Sequence, residues 1–316
     1  MSDRTALLMP GQGSQSVGMG WDLAEAYPSV RALYERADDV LGLPLSEICW
    51  EGPEELLRRT ENAQPAILTH SYAVWAVLPE EVRDSVVVGA GHSLGEFSAY
   101  LAAGAMDFED ALRVVRRRGE LMAGSGDERP GGMAAIMGLA PEEVEALCAK
   151  VEEGTVVPAN FNAPGQIVIS GDAAAVERAQ ELAAEDGSRV IPLNVSGAFH
   201  SPLMEVAREG LREALEGVAI SDPRFPVVAN ATGQAVTDAG SARENLVAQL
   251  TSPVRWVDSV RAMVEYGPDR WLEVGPGRVL AGLLRRIDRA HKAQAVGDPA
   301  AVDGFRMDNE TTPGES

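Results

Sequence analysis

The chain has 316 residues, enough for one large α/β domain or such a domain carrying an insert, and 45% are hydrophobic, so a core can form without disulfides or metals. A formal net charge of −21 sets up a global field that repels a phosphate backbone and excludes a nucleic-acid binder. The absence of a signal-like apolar start or of an apolar run of about 18 residues predicts a cytoplasmic protein with no membrane segment, and the widely separated Cys49 and Cys148 suit a reducing compartment.

A short strand over 5–9 opens the chain and runs into the loop Pro10-Gly11-Gln12-Gly13-Ser14-Gln15. Helical patterning follows over about 19–41 and 53–59, with a further helix over 65–78 starting at Pro65. The Val-rich strand 85–88 then enters Gly91-His92-Ser93-Leu94-Gly95, and a helix-compatible stretch, 96–103, leaves it. This is a G-x-S-x-G nucleophile elbow in its strand–turn–helix setting. The glycines give room for a strained turn that lifts the Ser93 hydroxyl out of the fold. The first helical N–H groups lie where negative charge develops on a reacting carbonyl. The competing reading is an ordinary glycine-rich βα turn.

Asp107, followed by Glu109 and Asp110, caps a helix to about residue 123 whose later half carries Arg113, Arg116, Arg117 and Arg118. Residues 124–131 read as a linker. Beyond it the rhythm changes to strand 132–139, helix 141–151, strands 155–160 and 166–170, helix 173–184 and strand 189–195. That β-α-β-β-α-β order predicts a ferredoxin-like insert over 127–195. The expected fold is therefore α/β: a large α/β-hydrolase-like domain with a parallel sheet, from 1–126 and 196–296, plus the small insert, with the active site in the cleft between them. The large domain resumes with a helix to about 216, strand 226–230, helices near 241–250 and 254–266, strand 270–274 and helix 278–290. The polar, acidic, Gly- and Pro-bearing stretch 297–316 is expected to be disordered.

A serine hydroxyl needs an adjacent base, usually histidine, and the chain has four. His291 lies at a helix end, His70 within a helical pattern, and His92 beside the serine but pointing elsewhere. His200, in a glycine-flanked loop where the chain re-enters the large domain, is the best placed; its alternative is a satisfied loop histidine. No acid between Ser93 and His200 follows a strand as a hydrolase triad requires, so a Ser–His dyad oriented by a backbone carbonyl fits better.

Five ordered motifs now stand together: residues 10–15, Gly91-His92-Ser93-Leu94-Gly95-Glu96, Arg118-Gly119-Glu120-Leu121-Met122, Asn160-Phe161-Asn162-Ala163-Pro164-Gly165-Gln166 and Glu273-Val274-Gly275-Pro276-Gly277. Over about 4–290 the chain closely resembles the malonyl-CoA:acyl carrier protein transacylases of bacterial fatty-acid synthesis. The resemblance implies Ser93 as nucleophile, His200 as general base, the backbone N–H groups of Gln12 and Leu94 as oxyanion hole, and the Gln249 carbonyl as the group orienting the histidine. It places Asn160 at a polar pocket position and makes Arg118 the partner of the malonyl carboxylate, a role its bidentate fork suits. Phe199 matches the bulky residue that disfavours an α-methyl in related polyketide synthase acyltransferase domains.

The implied reaction is a ping-pong transfer from malonyl-CoA to the phosphopantetheine thiol of holo-acyl carrier protein, with no metal or redox cofactor. Carrier docking to so acidic a chain calls for a local basic patch, for which Arg116 and Arg117 with Arg285, Arg286, Arg289 and Lys292 are the candidates. The rivals are a discrete acyltransferase serving a polyketide synthase, a serine esterase or thioesterase, and a non-catalytic carrier-binding scaffold.

Overall fold

The computed structural model describes residues 3–195 and 197–310. The large body opens with β1 (Thr5–Met9) and six helices: α1 (Trp21–Ala26), α2 (Pro28–Leu41), α3 (Leu45–Trp50), α4 (Glu54–Arg58), α5 (Thr60–Val77) and α6 (Glu80–Asp84). Strand β2 (Val86–Gly91) passes through the elbow into α7 (Leu94–Ala102), followed by the long α8 (Phe108–Glu128). A second unit follows: β3 (Gly131–Met137), α9 (Pro141–Ala149), β4 (Val156–Ala163), β5 (Gln166–Asp172), α10 (Ala173–Glu185) and β6 (Arg189–Pro192). The chain returns through a 3₁₀ turn at Pro202–Met204 into α11 (Glu205–Glu216), β7 (Val227–Val228), β8 (Ala235–Val236), α12 (Ala239–Ala248) and α13 (Trp256–Val264). It ends with β9 (Arg270–Val274), α14 (Val279–Ile287), β10 (Ala293–Val296) and α15 (Pro299–Glu310).

The main sheet has the order β10-β9-β1-β2-β7-β8, parallel throughout except for the β7–β8 pair. Its central strand is buried on both faces, as a strand covered by helices on each side must be. Alternate residues feed separate cores: Leu7 and Met9 pack with α5 and α7, while Ala6 and Leu8 pack with Trp256 and Met263 of α13 and Leu284 of α14. The second sheet is antiparallel, in the order β4-β5-β3-β6, which is the ferredoxin-like arrangement. Ala134 and Ile136 of β3 face its own helices, and Met133 and Ala135 face the core of the large body. Alternation along one strand thus fastens the small sheet to the large one.

Several expectations are corrected. The helix expected over 19–41 is broken at Tyr27, which is extended (φ −126°, ψ 109°) because the ring of Pro28 disfavours helical backbone before it. Helix α5 begins five residues before Pro65 and carries that proline inside it. Proline lacks the N–H that would bond the Glu61 carbonyl one turn back, and Arg116 Nη1 donates to that carbonyl instead, at 3.0 Å. The linker expected at 124–131 is largely the continuation of α8 to Glu128.

The tail is not a disordered extension as far as residue 310. Strand β10 adds to the sheet edge beside β9, and α15 buries Val302 and Phe305 against the large body. Only 311–316 of the expected disordered stretch, and Ser196 at the expected domain boundary, lie outside the described residues.

Candidate active site

Strand β2 delivers Ser93 to the top of the main sheet. The turn is held in a backbone conformation that L-residues rarely adopt, with Ser93 at φ 51°, ψ −108°. Both motif glycines are forced by close approach: a Cβ at Gly91 would lie 1.9 Å from the Gly95 carbonyl, and one at Gly95 would lie 2.1 Å from Met9 O. Asn230, just past β7, clamps the turn from both sides. Its Oδ1 accepts from Ser93 N at 2.6 Å, and its Nδ2 donates to Gly91 O at 2.7 Å.

His200 Nε2 lies 2.8 Å from Ser93 Oγ, and His200 Nδ1 lies 2.9 Å from the Gln249 carbonyl. A carbonyl only accepts, so Nδ1 carries the ring proton and Nε2 is free to take the serine's. Burial, with Arg118 nearby, pushes the ring down to about 3, which keeps it neutral. No carboxylate is bonded to this ring among the described residues. The other histidines are elsewhere: His92 Nε2 bonds Asn162 Oδ1 at 2.8 Å, His70 Nδ1 meets Tyr34 at 3.3 Å, and His291 pairs with Asp288 at 3.0 Å.

Arg118 is 1% exposed. Helix α8 brings it in by crossing α5 where a Cβ at Gly119 would lie 2.7 Å from Glu61 Cα. Its Nη1 donates to Gln64 Oε1 at 2.7 Å, and its Nη2 donates to Gln249 Oε1 at 2.7 Å and to Ser93 Oγ at 3.0 Å. The guanidinium also lies 5.4 Å over the Phe97 ring. Burial lowers it to about 10, well above neutral pH, so the cation persists.

Ser93, His200, Arg118 and Gln249 thus converge. Ser93 and His200 line a cleft of about 1240 Å³ that runs between the two sheets, with Arg118 and Gln249 buried behind them. Gln12, Phe199 and His200 line it from the large body, and Met133, Asn160 and Val168 from the small one. The Leu94 N–H, at the first residue of α7, and the Gln12 N–H have no acceptor among the described residues. The Gln12 side chain reaches Thr60 Oγ1 at 3.3 Å. Asn160 sits on β4, where that strand bridges the large body: Phe161 N donates to Val254 O at 2.9 Å and Val254 N to Ala159 O at 2.8 Å.

Sequence reasoning missed four polar residues here: Gln64, Glu96, Asn162 and Asn230. Glu96 is fully buried, and its Oε2 accepts from Asn230 N at 3.0 Å and Gln249 Nε2 at 2.6 Å. The signal available for Glu96 was the single charged residue of a helix that is otherwise uncharged and buried throughout. Of the basic patch, Arg116 is committed to Glu120, to Asn62 and to the Glu61 carbonyl, so it braces the fold.

Known proteins resemble this chain over nearly its whole length. The acyl transferase domain model matches residues 7–310. The malonyl CoA-acyl carrier protein transacylase of Bacillus subtilis is 45% identical over 306 residues, 95% of each chain, and that of Escherichia coli K12 is 42% identical over 94% of this chain and 97% of its own. A malonyl-transacylase solved in complex with its type II PKS acyl-carrier protein superposes with a TM-score of 0.92 at 43% identity, covering 97% of this chain and all of that one. The malonyl-CoA:acyl carrier protein transacylase of Xanthomonas oryzae gives 0.90 at 41%, over 96% of this chain and 97% of that one. The chain belongs to the acyl transferase domain family and, within it, to the malonyl-CoA:acyl carrier protein transacylases.

Proposed function

We propose that this chain moves a malonyl group from malonyl-CoA to the phosphopantetheine thiol of an acyl carrier protein through an ester on Ser93. The observation that carries the reading is one oxygen with two partners: Ser93 Oγ meets His200 Nε2 at 2.8 Å and Arg118 Nη2 at 3.0 Å. His200 takes the serine proton as Oγ attacks the thioester carbonyl, and gives it to the departing sulfur. The oxyanion lies between the N–H groups of Gln12 and Leu94. Arg118 holds the malonyl carboxylate beside the ester. The carrier's thiol then enters the same cleft and reverses the steps. The reaction so drawn uses these side chains, the two backbone N–H groups and the two substrates. The chain acts in the cytoplasm in this reading, consistent with free, buried Cys49 and Cys148 and with no described helix long and apolar enough to cross a membrane. Its working division is a catalytic body, 1–126 and 196–296 with α15 packed on it, and a small unit, 127–195, that forms the far wall of the cleft.

The test is intact mass spectrometry after mixing with malonyl-CoA. One malonyl per chain is expected, lost in Ser93→Ala; a wild-type chain that stays unmodified refutes the reading. A serine hydrolase is disfavoured because His200 is oriented by a carbonyl rather than a carboxylate. A carrier from a polyketide synthase is the second reading, prompted by the neighbour solved with a type II PKS acyl-carrier protein. Comparing transfer rates to the two kinds of carrier separates them.

A further inference from the structure

Glu96 stands three residues after the nucleophile and is wholly buried, yet no acyl-transfer step uses it. Gln249 ties it to Arg118: the amide Nε2 donates to Glu96 Oε2 at 2.6 Å while Oε1 accepts from Arg118 Nη2 at 2.7 Å. Two buried atoms of this cluster, Glu96 Oε1 and Arg118 Nε, have no partner among the described residues. Asn230 beyond β7 and Gln249 after α12 bring neutral amides. Tyr100, one turn along α7, is held protonated by burial and by Glu96 itself. His92 and His200 are kept neutral by burial. Arg118, from α8, is the one charged group that acts on Glu96 through space among the described residues.

The buried site therefore contains one cation and one acid. With the cleft empty, an ionised Glu96 balances the guanidinium. A malonyl carboxylate seated on Arg118 would put two carboxylates around one cation in a medium of low dielectric, where like charges cannot both persist. We propose that Glu96 is the resting counter-ion of Arg118 and takes up one proton when a malonyl carboxylate seats on that guanidinium. Burial already raises the Glu96 carboxyl to about 7, against the pull of Asn230, Gln249 and Arg118, so the proton is available from neutral solution.

The inference rests on the malonyl reading above and has its own consequence. The transfer itself moves no net proton to or from solvent: the serine proton leaves on the coenzyme A sulfur, and the malonyl carboxylate stays ionised. Any proton taken up near neutral pH belongs to the protein. Acetyl-CoA, lacking the carboxylate, should trigger no uptake. Binding that requires the protonated acid also weakens with pH, so KM for malonyl-CoA should climb by up to about tenfold per pH unit above the carboxyl's range, while that for acetyl-CoA does not.

The experiment mixes the full chain with malonyl-CoA in weak buffer at about pH 7.5 with an indicator dye, and reads acyl occupancy by intact mass on the same samples. Uptake of between about one half and one proton per malonyl-enzyme is expected, with little from acetyl-CoA at equal occupancy and none in Glu96→Gln. Malonyl-enzyme formed without uptake, or equal uptake from both donors, overturns the role given to Glu96 and leaves the acyl-transfer reading standing. Absence of malonyl-enzyme overturns that reading and this inference with it. If Glu96→Gln fails to fold, the comparison of the two donors on the wild-type chain decides alone.

Discussion

The proton on His200 sits on Nδ1, pinned by the Gln249 carbonyl, and this fixes how the site responds to acid. The working form of the base is the neutral ring. Held at about 3, below the ordinary 6.5, it stays neutral as pH falls through 6.5 and gains charge only far below. Acetyl transfer, free of the malonyl carboxylate, isolates this group. Its kcat/KM should stay flat from about pH 8 to below about pH 6; an acid limb centred near 6.5 in a pH–rate profile would contradict the burial argument. Arg118 gives a second prediction. Truncating one partner of a buried, hydrogen-bonded charge pair costs about 2–5 kcal/mol, so Arg118→Ala should depress malonyl transfer by at least about 30-fold more than acetyl transfer, measured as the ratio of kcat/KM values. Equal losses would remove the carboxylate role and leave Arg118 its bonds to Ser93, Gln64 and Gln249. Of these residues, Ser93 was legible from local spacing alone, and His200 from elimination among four histidines. Arg118 was legible only through its match to a family motif, because four arginines on one helix look like a solvated face. The roles of Asn230 and Glu96 were not legible, since their partners lie 134 to 153 residues away in the chain and those roles exist only once β2, α7, β7 and the end of α12 are assembled.

Helix α5 shows how one element depends on another. Pro65 leaves the Glu61 carbonyl without its helical donor, and Arg116 of α8 supplies one, while also donating to Asn62 Oδ1 at 2.7 Å and Glu120 at 2.7 Å. Arg117, the next residue, is half exposed and among the described residues pairs with Glu120, at 3.8 Å. The two neighbours should therefore differ. Arg116→Ala leaves a partly buried carbonyl and amide unpaired and should cost about 1–3 kcal/mol, seen as a lower melting temperature, whereas Arg117→Ala should change it by less than about 0.5 kcal/mol. Matching losses would mean that the bridge to α5 contributes nothing. The same contact explains why Pro65 reads locally as a helix start: Arg116, which fills the gap it leaves, stands 55 positions from Glu61. The termini of α8 and of the chain were misread for a related reason. Glycine costs a helix only about 1 kcal/mol against alanine, which packing of α8 on α5 and α11 outweighs. In α15 two apolar residues three apart, Val302 and Phe305, bury a face that the surrounding acidic composition hides. Elements with strong local patterns, β1, β9 and the βαββαβ unit, were legible because short apolar runs bounded by turn residues specify them without help from distant residues.

For the whole molecule, the two sheets meet at a cleft whose lips carry unlike surfaces. On one lip Glu273, at the end of β9, caps α14 by accepting from Leu280 N at 2.9 Å and Ala281 N at 2.7 Å. That cap fixes Val279, Leu280 and Leu283 along the cleft and leaves Arg285, Arg286 and Arg289 exposed farther along, with Lys292 after them. Arg286 is engaged with Gln166 and the Pro164 carbonyl, so it joins α14 to the small sheet. Arg285, Arg289 and Lys292 remain as exposed basic side chains beyond the cleft-lining turns of α14. A chain of net charge −21 would repel an acidic carrier at long range, while these cations would attract it at short range. Salt separates the two. If these cations guide docking, kcat/KM for the carrier falls as salt rises, because added ions screen a favourable contact. If the net field dominates, it rises instead. Replacing Arg285, Arg289 and Lys292 by Gln should lower kcat/KM for the carrier several-fold at low ionic strength, with the gap to wild type closing toward about 0.5 M salt, and should slow the malonyl-CoA half-reaction less. A variant whose carrier kinetics match wild type at low salt would move the docking surface away from α14.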